Sequence, residues 1–473
     1  MMATCFSNLW FYDFPQIFED QIISRFGVST VEVSLLYSVY SIPNVFFCFL
    51  GPLILNYTGL GIGVVFTTAL AFFGAFLAYI GVAFDQFWLI LVGRAVYGLG
   101  AEVMLITQTS IAEKWYSGSI LSLAIAFSNV SNMLGTAGNA YFSPLLLTKT
   151  RCIEFPLFVT VILCFVCWVF GLIYYRLEAR YSGSVSENSH SEGWQGFRIK
   201  DIKFFKPLFW VLIVYFCCLS MSYFQFINFV TDFLVVRFNY EYLEAKNLVG
   251  LIPIVACIAI PVISPFTLKF GKKGVVLVLA ALMGLGTYFT MSCLPEEPGP
   301  VVLVWVFLIS IFYSLYTCVI WTCLTLLVPT EGTSVGLGIA TGIENMFMVV
   351  LPFLFGEVNK NRSVEAYNNS LMILQAMLVV ALIFGLFVAY FDFKGEKILH
   401  LPENHHRVIS QREELSSRLK EESLRDVRRE LFSRSVGSLQ SRAKTIKTTS
   451  VFSANSSNYS SPNKKPNYSD SLC

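Results

Sequence analysis

The sequence has few charged residues, and they are unevenly distributed. Asp, Glu, Lys and Arg make up 14% of its 473 residues, whereas an average soluble domain has about 25%. Hydrophobic residues reach 55%, and they gather into runs of roughly 20 residues, the length that crosses the hydrocarbon core of a bilayer. This composition excludes an ordinary soluble globular protein and indicates an integral membrane protein.

Histidine is also scarce, and none lies in an apolar run. The four histidines are His190, His400, His405 and His406, all in segments predicted to lie outside the membrane. A haem site, a histidine-ligated metal site or a histidine-based hydrolase is therefore hard to build, and we expect no metal, no cofactor and no enzyme activity. The sequence also lacks a GxxxxGK[ST] loop, which argues against an ATP-driven pump.

The apolar runs predict twelve membrane-spanning helices. They do not alternate apolar and polar residues as membrane β-strands do, and a helix satisfies its own backbone hydrogen bonds in lipid. The predicted spans cover residues 1–19, 30–56, 61–83, 86–112, 118–146, 154–176, 207–231, 243–268, 274–294, 300–328, 332–357 and 367–391. The expected fold class is an all-α membrane protein with twelve transmembrane helices in two six-helix halves.

Lys and Arg orient these helices, because basic residues concentrate in cytosolic loops. The loop 177–206 carries five of them, and the tail 393–473 carries 15 Lys or Arg against 9 Asp or Glu. With twelve spans both segments lie on one side, so both chain termini are predicted to be cytosolic. The expected domains are an N-terminal half (1–176), a cytosolic linker (177–206), a C-terminal half (207–392) and a basic, partly disordered cytosolic tail (393–473).

Four charged residues stand out within the predicted spans, where charge is costly and marks functional candidates. Asp13 is in span one, Arg94 and Glu102 are in span four, and Glu344 is in span eleven. The two glutamates fall near the middle of their spans, and we predict that they bind solute. Asp13 and Arg94 are predicted to serve gating or proton transfer. A structural ion pair or buried hydrogen bond is the alternative for each residue, and the sequence leaves it open.

Uncharged polar residues recur at helical spacing on three further faces. Asn129 and Asn132 lie one turn apart in span five, Tyr37 and Tyr40 do so in span two, and Gln225 begins a similar stripe in span seven. In lipid such groups would be unsatisfied, so they face other helices or a polar cavity. Interhelical hydrogen bonding and cavity lining both fit the spacing.

Short motifs give the sequence a family resemblance. The segment RAVYGLGAE at 94–102 contains the RxxxGxG pattern that span four carries in the major facilitator superfamily. Together with YDFP at 12–15, LLYSVYSIPNVFFCFLG at 35–51 and IWTCLTLLVP at 320–329, it resembles the branch of lysosomal dipeptide uniporters. The resemblance runs from about residue 5 to residue 392 and does not cover the tail.

The resemblance implies an alternating-access carrier that exports dipeptides, preferably cationic ones, or related amino compounds from the lysosome to the cytosol. It matches Glu102 with a substrate-site acid, Arg94 with the span-four arginine and Asp13 with the YDxP aspartate. The implied partners are a small solute, membrane lipid and a glycosylated accessory membrane protein, with no nucleic acid. A lysosomal or other endomembrane is favoured over the plasma membrane. The predicted substrate-binding residues are Glu102, Glu344, Asn132, Asn129, Tyr37, Tyr40, Gln225 and Asn345.

The sequence also departs from that branch. Met133 stands where the branch has a basic residue in span five, and Glu344 stands where it has glutamine. Two midplane acids without that cation favour a positively charged solute. Two alternatives remain: a carrier of another cationic metabolite, such as an amino acid or polyamine, and a non-transporting membrane scaffold or solute sensor.

N-glycosylation sequons test the predicted orientation. Those beginning at Asn361 and Asn368 lie between spans eleven and twelve on the predicted luminal side, whereas those at Asn455, Asn458 and Asn467 lie in the tail. Protein from a eukaryotic host should lose mass on N-glycosidase treatment, and replacement of both luminal asparagines by glutamine should abolish this loss. A glycan on any tail asparagine would show that the predicted orientation is wrong.

Overall fold

The computed structural model describes residues 2–116, 119–185, 199–293, 299, 301–402, 405–426 and 428–429. Within these residues the regular secondary structure is entirely helical, as predicted. In this part of the chain eleven helices are long and apolar enough to cross a membrane, and we count the segmented helix at the N terminus as a twelfth span. The tail sequons and most of the predicted disordered segment lie outside the described residues.

The chain divides into two units. The larger comprises residues 1–190 and 196–417 and contains all the spans. The smaller comprises residues 191–195 and 418–473, and its residues 418–426 are helical.

The twelve spans follow one another along the chain, and residues 186–206 form the longest connection, between spans 6 and 7. Their bounds are span 1, Met2–Tyr12, Phe14–Ile17 and Glu19–Phe26; span 2, Thr30–Ser41 and Asn44–Thr58; span 3, Leu60–Ala83; span 4, Phe87–Trp115; span 5, Ser119–Thr150; span 6, Glu154–Val185; span 7, Pro207–Phe238; span 8, Tyr242–Phe270; span 9, Lys273–Cys293; span 10, Val301–Leu326; span 11, Thr333–Val358; and span 12, Val364–Lys394. Short 3-10 helices occur at Ile199–Phe204 and Thr330–Gly332.

Span 1 differs from the single helix over 1–19 that the sequence predicted. It breaks at Asp13, which has φ −82° and ψ 4°, and again at Phe18. Pro15 has no N–H, so it cannot bond to the carbonyl oxygen four residues earlier, and this favours the first break. The last piece continues to Phe26 and ends at Gly27 in the left-handed conformation (φ 65°). The prediction of one short continuous helix is therefore wrong.

A capping box starts span 2. The Ser29 hydroxyl accepts a hydrogen bond from the Glu32 N–H, while the Glu32 carboxylate accepts one from the Ser29 N–H at 2.7 Å. These two bonds satisfy N–H groups that a helix start otherwise leaves free. Pro43 interrupts the span between Ser41 and Asn44, as expected for a residue that cannot continue the helical hydrogen bonding.

The two halves meet along two pairs of spans. Span 2 packs against span 11, and span 5 packs against span 8. Gly338 of span 11 approaches span 2 so closely that a Cβ atom there would lie 2.2 Å from the carbonyl oxygen of Cys48. A side chain at this position would force the helices apart, so the glycine sets the distance between the halves.

The segment 395–417 folds back over one end of the helices, which we call the tail face. The backbone N–H groups of Lys272 and Lys273 donate to the carbonyl oxygens of His400 and Leu399, at 2.9 and 2.8 Å. These bonds fix the start of the segment to the turn between spans 8 and 9. The opposite end of the helices, which carries the turn at 359–363, is called the Arg362 face.

Residues 406–417 are helical and contact both halves. Nη2 of Arg412 donates to Oε1 of Glu113 in span 4 at 2.7 Å and to the Thr333 hydroxyl of span 11 at 3.2 Å. The hydroxyl groups of Ser416 and Thr330 lie 2.6 Å apart. Movement of the halves apart at the tail face therefore requires these bonds to break.

We predict that Arg412→Ala releases the helix at 406–417 from the tail face. The side chains of Arg412 and Glu113 are only 17% and 13% exposed, and a charge-assisted bond of this kind stabilises by about 1.5–3 kcal/mol. Hydrogen exchange measured by mass spectrometry should be faster across these residues in the variant. Arg407→Ala removes the same charge from an exposed position of the same helix and should leave exchange unchanged. Equal exchange in the two variants would contradict the role of Arg412.

Candidate functional site

A central cavity lies between the two halves. Its empty volume, including space open to solvent, is about 720 Å³. Spans 1, 2, 4 and 5 of the first half and spans 7, 10 and 11 of the second half contribute its walls. The lining residues are Leu9, Tyr12, Tyr40, Ser41, Glu102, Leu105, Asn129, Asn132, Phe224, Tyr313, Tyr316, Thr317, Trp321, Glu344, Asn345 and Met348.

Two carboxylates from opposite halves face this cavity. The Tyr40 hydroxyl donates to Oε1 of Glu102 at 2.9 Å, and Asn345 lines the same cavity. Glu344 of span 11 is 9% exposed. Among the described lining residues there is no Lys, Arg or His. The cavity therefore concentrates negative charge, which attracts a cation or a proton.

Span 4 brings Glu102 to Tyr40 because a glycine lies one turn before it. A Cβ atom at Gly98 would lie 2.3 Å from the carbonyl oxygen of Tyr40. The absence of a side chain at Gly98 therefore lets spans 2 and 4 touch at this level. The short contact allows the phenol and the carboxylate to meet.

Three amide side chains of the cavity have unused hydrogen-bonding capacity. Nδ2 of Asn129, Oδ1 of Asn132 and Oδ1 of Asn345 are buried and have no hydrogen-bond partner within the described part of the chain. A buried polar atom without a partner is costly. These atoms can therefore offer both donors and acceptors to a polar solute.

Aromatic side chains form much of the cavity wall, and sequence reasoning missed most of them. Tyr313, Tyr316 and Trp321 come from span 10, and their faces can attract a cation. Tyr313 and Tyr316 lie one turn apart on the helix, but the five-residue step to Trp321 turns about 140° around it, so the spacing was only a weak signal. Aromatic residues in an apolar span are more often packing residues, so the stripe alone did not indicate a site.

Not all of the predicted binding residues reach the central cavity. It contains Glu102, Glu344, Asn129, Asn132, Tyr40 and Asn345. Tyr37 and Gln225 instead line a second cavity nearer the Arg362 face. Met133 is 2% exposed and is not among the residues that line the central cavity.

Asp13 lines a third cavity, between spans 1, 5, 7 and 8. This cavity has an empty volume of about 530 Å³ and also contains Lys246. Asp13 is 8% exposed, and Thr136 lines the same cavity. The predicted gating or proton-linked residue thus lies beside the central cavity and not in its wall.

Arg94 is fully buried and binds backbone carbonyl groups. Nη1 donates to the carbonyl oxygen of Phe11 at 2.7 Å, Nη2 to that of Tyr12 at 3.1 Å, and Nε to that of Leu36 at 3.3 Å. The Phe11 carbonyl has no helical partner, because its usual donor would be the missing N–H of Pro15. This geometry favours the buried hydrogen-bond alternative for Arg94, and its gating role stays a prediction.

The two predicted glycosylation sites differ in accessibility. Asn361 is exposed in the turn before span 12. Asn368 is half-buried within span 12, and its Oδ1 accepts a hydrogen bond from Nη1 of Arg237. The geometry therefore favours Asn361 as the modified residue.

Comparison with known proteins identifies the family. A sequence model described as Major Facilitator Superfamily matches residues 2–352. The chain belongs to the major facilitator superfamily. In this superfamily solute sites lie near the midplane between two halves, which is where the central cavity lies.

Several relatives share the name lysosomal dipeptide transporter MFSD1. The protein of Danio rerio is 23% identical over 408 residues, covering 84% of this chain and 86% of the relative. That of Mus musculus is 25% identical over 366 residues, covering 75% and 77%. Among solved structures, the proton:xylose symporter XylE, bound to 6-bromo-6-deoxy-D-glucose, matches with a TM-score of 0.62 and 14% identity, covering 83% of this chain and 93% of XylE. The likeness to XylE concerns the fold alone.

We predict that Arg94→Lys destabilises the protein. A single ammonium group cannot reach carbonyl oxygens on both span 1 and span 2 as the planar guanidinium does. Each lost bond to a charged group costs about 1.5–3 kcal/mol, so the purified variant should melt at a lower temperature. Arg176→Lys, the same change at an exposed position, should leave the melting temperature unaltered. An equal melting temperature for Arg94→Lys would show that the three bonds add little.

Proposed function

We propose that this transporter carries dipeptides, preferably cationic ones, or related amino compounds from the lysosome to the cytosol. The relatives named lysosomal dipeptide transporter support both the solute class and the compartment. The preference for cations rests on the central cavity. Glu102 of the first half and Glu344 of the second half both line it, and its described lining residues include no basic side chain.

The cationic group and the peptide group of a dipeptide each have a counterpart in the cavity. The α-ammonium group or a cationic side chain pairs with a carboxylate, and the aromatic faces add cation–π attraction. The peptide group bonds to the free amide atoms of Asn129 and Asn132. Because a basic lining residue is lacking, the carboxylate of the solute contributes little to its recognition.

Transport requires the two faces of the protein to open in turn. At the tail face Ser110 of span 4 and Ser334 of span 11 are 2.6 Å apart. Towards the Arg362 face Nε2 of Gln16 in span 1 donates to the carbonyl oxygen of Ile227 in span 7 at 2.6 Å. Contacts between the halves therefore occur on both sides of the cavity. Opening of the tail face would release solute to the cytosol, and opening of the Arg362 face would admit it from the lumen.

Flux into proteoliposomes tests the proposal with a series of dipeptides of different charge. Lys-Ala and its amide should be carried at similar rates and faster than Ala-Ala, and Ala-Glu should be slowest. Glu102→Gln should lower flux of Lys-Ala about tenfold or more, because a buried charge loses its partner. Glu244→Gln, the same change at an exposed position of span 8, should transport normally.

Two results would contradict the proposal. Preference for neutral or anionic dipeptides would mean that Glu102 and Glu344 do not face the solute together. Binding of dipeptides, measured by thermal shift, without any flux would instead identify a solute sensor.

A further inference from the structure

The second cavity, near the Arg362 face, has the composition of a binding site. It has an empty volume of about 540 Å³ and is lined by residues of spans 1, 2, 7, 11 and 12. Tyr12 of the central cavity and Tyr37 of the second cavity have ring centroids 5.5 Å apart. The two cavities are therefore neighbours, separated by about one aromatic ring.

We call this second cavity the outer cavity. Two carboxylates from opposite halves line it, and Arg362 covers them. Nη2 of Arg362 lies 3.4 Å from Oε1 of Glu19 in span 1 and 3.6 Å from Oδ2 of Asp232 in span 7. Charge-assisted bonds are normally 2.7–2.9 Å long, so Arg362 holds both carboxylates loosely. The Tyr367 hydroxyl donates to Oδ2 of Asp232 at 3.3 Å.

The exposure of these three side chains indicates that Arg362 can move away from the two carboxylates more easily than they can move away from it. Glu19 and Asp232 are 14% and 17% exposed, whereas Arg362 is 41% exposed. Burial alone would lower the pKa of Arg362, but the carboxylates of Asp232 and Glu19 raise the pKa above its ordinary value. Arg362 is therefore a permanent cation that approaches fixed acids from the solvent side.

Other charged residues near Glu19 and Asp232 do not form ion pairs with them among the described residues. Lys246 and Asp20 interact electrostatically with Glu19. However, Nζ of Lys246 donates to the carbonyl oxygen of Ile17 at 2.8 Å, and Lys246 lines the third cavity.

The inner end of the outer cavity has polar atoms without partners. Gln225 is fully buried, and its Oε1 has no hydrogen-bond partner among the described residues. Nδ2 of the neighbouring Asn228 is likewise unpaired in the described part of the structure. Both side chains line the cavity, so they can bind the polar part of a solute whose cationic group reaches the acids.

We propose that the outer cavity is a second binding site for organic cations, in which Glu19 and Asp232 bind an ammonium or guanidinium group in place of Arg362. A solute from the Arg362 face would meet this site first. Its exchange with Arg362 would also break the contact that joins spans 1 and 7 across the halves. The proposal rests on the proposed function only for the view that the transported solute is a cation.

Equilibrium binding separates this site from the central one. The full-length protein is placed in nanodiscs with Glu102→Gln and Glu344→Gln as a fixed background, and argininamide is the probe. The background should still bind argininamide, and adding Asp232→Asn or Glu19→Gln should weaken binding about tenfold or more. Arg362→Gln should strengthen binding several-fold, because it removes the competing cation. Citrulline amide, the neutral analogue, should bind much more weakly throughout.

Lys360→Gln is the matched control. It removes one positive charge from the same turn, but Lys360 is 62% exposed and pairs with Glu357 at 3.4 Å, so argininamide affinity should not change. The melting temperature of each variant checks its folding. If one of the two acid variants does not fold, the other still tests the site.

Three results would overturn the proposal. They are loss of all argininamide binding in the background, affinity unaffected by either acid variant, and unchanged or weaker binding in Arg362→Gln. Flux plays no part in these measurements, so failure of the proposed transport function would be seen separately.

Discussion

The Arg94 guanidinium joins the broken first span to span 2, and the geometry of the central cavity depends on it. Pro15 leaves the carbonyl oxygen of Phe11 without a helical donor, and Arg94 supplies one at 2.7 Å. The same guanidinium lies 5.8 and 5.2 Å from the ring centroids of Tyr12 and Tyr40. Both rings line the cavity, and Tyr40 holds Glu102. One buried cation thus fixes the backbone break and two residues of the site.

The same arrangement explains why Arg94 does not neutralise the acids. Arg94 and Glu102 are eight residues apart in span 4, or about 12 Å along the helix axis. The guanidinium is already bonded to three carbonyl groups. Arg94 therefore does not pair with Glu102 or Glu344, and both glutamates remain available to bind a cation or a proton. A cation nearer the midplane would pair with them and reduce the attraction for an incoming cation.

Sequence reasoning predicted the spans well because lipid demands long apolar helices, and it found both glutamates because charge in such helices is rare. Sequence reasoning did not show how far along the helix axis each residue lies relative to the cavities. Tyr37 and Tyr40 share one helix face, but three residues correspond to about 4.5 Å of rise, enough to put them in different cavities. Tyr313 and Trp321 were missed because an aromatic residue in an apolar span looks like packing. Pro15 favours the first break in span 1 and is visible in the sequence, but the bonds from Arg94 to the carbonyl groups at that break are long-range contacts that local sequence cannot show.

If both proposed sites bind cations, the cavities together form a graded path for the solute. The acids near the Arg362 face have a removable internal partner, whereas the central acids have no basic residue in their cavity wall. A cation in the outer cavity must displace Arg362, which limits how tightly it is held there. It gains more by moving inward to unpaired carboxylates and aromatic faces. Weak outer binding and stronger central binding would direct the solute inward before the Arg362 face closes.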